Sequence, residues 1–147
     1  MSEASVGNMT RGGVWGRALA VWLLIMLVET VHGVVRTMAL APVVGDFAGR
    51  QIGVFTGSLL ILAVTYLSIG WLRPGTGRMF AAVGILWVVL TLLFEVGLGR
   101  VVLGYPWSRL IADYDIAHGG LMALGLLLMA FAPFIADAWS RHRSFAP

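Results

Sequence analysis

An all-α, integral membrane four-helix bundle is the fold this sequence predicts, on three observations. Of its 147 residues 59% are hydrophobic and only 12% are charged, with a mean hydropathy of +0.90. A water-soluble domain carries about 45–50% apolar and about 25% charged residues. The apolar residues also fall into four stretches, each able to cross a hydrocarbon core about 30 Å thick, for which a helix needs about 20 residues. Finally, the stretches are apolar all round rather than on one stripe, and the alternating segments of about ten residues that mark a membrane β-barrel are absent.

The first span is predicted over 14–40, where Ala41-Pro42 should stop it, because the residue before a proline disfavours the helical region. Arg11 and Arg17 followed by an apolar run and Ala39-Leu40-Ala41 also fit a cleaved signal. Glu29, His32 and Arg36 inside the run, and Pro42 just after the cut, favour retention instead. The second span is predicted over 51–72 and ends in the tight turn Arg73-Pro74-Gly75-Thr76-Gly77-Arg78. The third covers 79–103 and ends at Gly104-Tyr105-Pro106, and the fourth covers 116–138. With no repeat and no long linker, residues 1–147 read as one four-span domain.

Orientation follows the arginines, which are the only strongly basic residues in the chain. Arg11, Arg17, Arg73, Arg78, Arg141 and Arg143 lie on the side of the termini, against Arg36, Arg50, Arg100 and Arg109 on the other. The excess places both termini in the cytoplasm of a bacterial-type inner membrane. Trp15, Trp71, Trp107 and Trp139 near the span ends suit interfacial anchoring, whereas Trp22 and Trp87 lie deeper and should pack between helices. The expected partner is the lipid bilayer, joined by a second copy or another membrane protein where subunits assemble. The net charge of +3 is spread as single arginines with no basic cluster, so no nucleic-acid surface is expected. With no cysteine there is no disulfide, thiolate metal site or cysteine nucleophile.

The chemistry-bearing residues are the ionisable ones within the spans, where a charge costs from about 2.5 to over 10 kcal/mol. Glu29, His32 and Arg36 share one face of the first helix at i, i+3 and i+7. Glu95 and Arg100 stand at the far end of the third, and Asp115 and His118 open the fourth, in line with Met122, Gly125 and Met129. All therefore converge in the outer half, with Arg50 and Gln51 beside them. Bland readings accompany each. Asp113 or Asp115 caps a helix, Arg36 and Arg100 snorkel or serve as counter-ions to Glu29 and Glu95, and Gly53-x-x-x-Gly57 brings two helices close. For the cluster as a whole, the bland reading is a hydrogen-bonded network that only fixes helix packing.

The function this supports is a small inner-membrane protein with an outward-facing polar site. It would bind an ion or small polar ligand, or serve as an accessory subunit. The alternative is a metal-dependent membrane oxidoreductase or hydrolase. Glu29-x-x-His32 and Asp115-x-x-His118 have the carboxylate–imidazole spacing of di-iron bundles, and Glu29, His32, Glu95 and His118 together are chemically adequate for one divalent metal. A b-type haem between His32 and His118 has only the minimum pair of ligands and is the weakest expectation. Ser58 and Ser68 lack a nucleophile elbow. The topology is checked by single cysteines: at residues 5 and 144 they should resist a membrane-impermeant thiol reagent in intact cells, and at residue 45 react. The opposite pattern reverses the orientation.

Overall fold

The computed structural model describes residues 3–143 and, within them, the side chains of residues 13–142. Most of the described residues are helical, with no strand among them. Helix α1 (Glu3–Val35) runs into a π turn (Arg36–Leu40) and the short α2 (Ala41–Val44). Pro42 therefore does not stop the first span. A proline removes one helical donor and crowds the carbonyl four residues back. The wide turn immediately before it, with its i→i+5 spacing, makes room for that ring. The stop is Gly45, at φ +87°, and α3 (Asp46–Leu72) starts at once, ahead of the predicted Gln51.

At the other end of the bundle α3 closes on Arg73 in the left-handed region, and the Thr76 hydroxyl accepts from the Met79 amide to cap α4 (Gly77–Val96). A second π turn (Gly97–Val102) prolongs α4. The next stretch departs most from expectation. Residues 103–121 hold the short α5 (Trp107–Ala112) and a 3₁₀ turn (Ile116–His118), so α6 (Met122–Arg143) begins at Met122 and not at Ile116. Asp115 and His118 consequently precede the last helix and share no helical face with Met122, Gly125 and Met129.

Four helical segments, Gly13–Val44, Asp46–Leu72, Gly77–Val102 and Met122–His142, are long and apolar enough to cross a membrane. Only 22–28% of their most apolar windows is buried inside the protein. Continuous outward-facing apolar surface of that extent is foreign to a water-soluble monomer. Around the bundle α1 packs on α3, α3 on α6 and α6 on α4, while the α1–α4 seam is thinner.

Lipid tails are as apolar as leucine, so helices that lie in a membrane are held by close backbone approach and buried hydrogen bonds rather than by the hydrophobic effect. Both devices are present. A Cβ on Gly84 would lie 2.1 Å from the carbonyl oxygen of Ala130, so α4 and α6 meet backbone to backbone. Trp87 donates to the Ala18 carbonyl at 2.8 Å and Trp22 to the Thr91 hydroxyl at 3.0 Å, which ties α1 to α4. Both indoles are buried between helices as expected, and Trp15, Trp71, Trp107 and Trp139 are exposed near the ends.

Gly84→Ala should weaken the fold by about 1–3 kcal/mol through overpacking, although alanine is the better helix former. Gly70→Ala, with nothing within 4 Å of the new methyl, should be neutral or stabilising. Denaturant titration of the two variants in detergent tests the contrast.

Candidate functional site

At the end of the bundle away from the termini, the spans and the 103–121 segment enclose a cavity of about 680 Å³. Its floor is Met26, Thr91 and Met129, where the Thr91 hydroxyl lies 3.3 Å from the Met129 sulfur and 4.0 Å from that of Met26. Glu29 and Glu95 stand about one helical turn beyond Met26 and Thr91, on the first and third spans, and both line the cavity. Arg36 lies two turns further towards the mouth on the face of Glu29.

The polar face of the first span packs on α3. A Cβ on Gly57 would lie 2.6 Å from Glu29 Oε2, and one on Gly53 would lie 2.5 Å from Arg36 Cδ. The two glycines thus make room for a carboxylate and a guanidinium stem, not merely for a neighbouring backbone. His32 contacts Glu29 Oε2 through Nδ1 at 3.3 Å and Thr56 Oγ1 through Nε2 at 2.8 Å. Thr56 also lies 3.0 Å from the Ile52 carbonyl. One proton arrangement keeps all three contacts. The hydroxyl donates to Ile52, Nε2–H donates to the hydroxyl, and one proton sits between Nδ1 and Oε2. Glu29 Oε1 is then an acceptor whichever atom holds that proton.

Glu95 finds its partner in the connecting segment, accepting a hydrogen bond from the Tyr114 hydroxyl. Burial, followed by the carboxylate at its hydroxyl, pushes the Tyr114 phenol above its usual range and keeps it a donor. At the mouth Arg50 bridges Asp46 and Asp113, each at 3.3 Å, and Arg109 reaches Asp46 at 3.6 Å. Gln51 donates to the Gly119 carbonyl at 3.0 Å. Gly119, at φ +87°, lies so close that a Cβ would fall 2.8 Å from the Phe47 ring.

Among the described residues two buried side-chain atoms stay unmatched. Glu29 Oε1 and Arg36 Nη1 are buried without a hydrogen-bond partner, and no acid or acceptor engages any part of the Arg36 guanidinium among the described residues. A buried donor or acceptor left unsatisfied costs about 1–3 kcal/mol.

The predicted constellation is therefore only partly assembled. Glu29, His32, Arg36 and Glu95 all line the cavity. Arg100 does not serve as counter-ion to Glu95. It donates to the Tyr105 carbonyl at 2.7 Å and lies over the Trp107 ring. Asp115 and His118 pair with each other at 2.7 Å outside the cavity, where the imidazole is 83% exposed. The His118 hydrogen bond holds the Asp115 carboxyl below its usual range. The expected set Glu29, His32, Glu95 and His118 is thus dispersed, and among the described residues no three His, Cys, Asp or Glu side chains gather as metal ligands. A haem between His32 and His118 meets the same obstacle, with Nε2 of His32 on Thr56 and His118 turned outward.

Sequence reasoning does not find Tyr114, Thr56 or the Asp46–Arg109 contact as parts of the site. Their partners lie far away in sequence, and no local pattern announces them.

Tyr114→Phe should cost about 1–3 kcal/mol by leaving the Glu95 carboxylate without its donor, read as a lower melting temperature in detergent. A melting temperature equal to that of the unsubstituted protein would show the contact to be dispensable. No protein-family model, curated protein or solved structure matches this chain, and the chemistry of the cavity is carried by its own residues alone.

Proposed function

We propose that this chain is a multi-pass protein of a bacterial-type inner membrane, with both termini cytoplasmic, that binds a small polar ligand or ion in a cavity facing outward. Four helices of spanning length and the arginine excess on the terminal side support the placement. The observation that carries the binding reading is the cavity itself. Its volume falls within the roughly 300–1,000 Å³ of small-molecule sites, and the Arg36 guanidinium and Glu29 Oε1 on its walls have no partner among the described residues. Groups that only fix helix packing satisfy one another, as Trp22 and Thr91 do.

A binding rather than catalytic role fits the same inventory. The hydroxyl set against the His32 imidazole, that of Thr56 at 2.8 Å from Nε2, is engaged with the Ile52 carbonyl and stands off the cavity wall, and no metal set is assembled among the described residues. An accessory role in a larger membrane assembly is compatible with such a site.

Accessibility tests this reading. The chain has no cysteine, so Ser58→Cys on the cavity wall is a unique thiol. It should react with a small charged methanethiosulfonate applied from the outer face, whereas Ser68→Cys, nearer the cytoplasmic end of α3 and off the cavity, should not. A Ser58→Cys protein that labels only after unfolding would overturn the reading.

A further inference from the structure

The order of charges along the cavity specifies more than a polar ligand. Of the ionisable groups on its walls, Asp46, Arg50, Asp113 and Arg109 neutralise one another at the mouth. Two carboxylates and one guanidinium remain further in. Among the described residues Glu29 is held by His32, Glu95 by Tyr114, and Arg36 by none. A simple anion would satisfy Arg36 but add negative charge beside two acids. A simple cation would suit the acids but leave Arg36 unmatched.

Depth separates the two needs. Arg36 lies against Gly53, and Glu29 against Gly57, one turn further in along α3, a rise of about 6 Å. The anion-seeking group is therefore nearer the mouth, and the donor-seeking Glu29 Oε1 is deeper.

We propose that the cavity takes a zwitterion, with its anionic oxygens on the Arg36 guanidinium and a primary ammonium directed inward to Glu29 Oε1. The proposal rests on the binding reading above and specifies its ligand class. A guanidinium suits phosphate or carboxylate oxygens through paired N–H donors. The deep acceptor requires a donor hydrogen, which a primary ammonium carries and a quaternary one lacks. The chemistry is that of phosphoethanolamine, either as a free solute or as the headgroup of phosphatidylethanolamine. The apolar walls contributed by Val54, Phe94, Leu98 and Leu126 accept either source.

Protection of the Ser58→Cys thiol measures this. In a detergent free of phosphatidylethanolamine, phosphoethanolamine at millimolar concentration should slow labelling, while phosphocholine, inorganic phosphate and ethanolamine should not. Protection by the soluble compound supports a site open to free zwitterions. Protection seen only in nanodiscs of phosphatidylethanolamine, and not of phosphatidylcholine, supports the lipid source. On the Ser58→Cys background, Glu29→Gln and Arg36→Met should each weaken protection about tenfold to a hundredfold, and His118→Ala, outside the cavity, should leave it intact. Should one of the two cavity variants fail to fold, the other carries the comparison.

Equal protection by phosphocholine or phosphate would overturn the zwitterion assignment, as would labelling that no compound slows, and in both cases the open cavity stands. Absence of labelling without any compound is the distinct failure of the binding reading.

Discussion

A charged group inside an apolar bundle has to meet a partner or a space shaped for it, and the seam between α1 and α3 supplies that space at Gly53 and Gly57. Any side chain at either position would collide with Arg36 or Glu29. Seating those two groups here sets the separation of the first two spans at this end. Once they are seated, the third span and the segment after it close over a volume they do not fill. The cavity is in this sense the consequence of accommodating a carboxylate and a guanidinium against bare backbone.

The opposite half of the bundle is built on another logic. Ala18, Val21, Trp22, Ile25 and Met26 form the buried face of the first span, which two indole hydrogen bonds tie to the third, while Gly84 lets the third lie directly on the backbone of the fourth. Val21, Ile25, Val83 and Trp87 are buried there. At the very end Arg17 donates to the Trp71 carbonyl, with its guanidinium over the indole. A tight half therefore supports a hollow one, which suits a site whose walls must hold their positions around a guest.

Much of this was legible in the chain, because four long apolar stretches permit little else. The ionisable face of the first span could also be read, since i, i+3 and i+7 spacing follows from helical geometry. The residues that face it could not. Helical periodicity says which way Glu29 points but not that it meets Gly57, and it cannot show that Glu95 is bound by a tyrosine from a connecting segment. Asp115-x-x-His118 misled because the same spacing closes a 3₁₀ turn by capping, as the Asp115 carboxylate does towards the His118 amide. Pro42 misled because a proline halts a regular helix but follows a widened turn without penalty.

Those widened turns have a consequence for how the chain can change in length. Each π turn holds a surplus residue relative to a regular helix, and both, Arg36–Leu40 and Gly97–Val102, lie at the hollow end beyond the tryptophan contacts. Losing one residue from either would restore a regular helix there and leave the residues beyond it close to their present places, with the register of Ala18, Trp22 and Trp87 untouched. Insertions and deletions are thus cheapest at the rim of the cavity, so a lineage of such chains can diverge in what its mouth admits while the packed half stays constant.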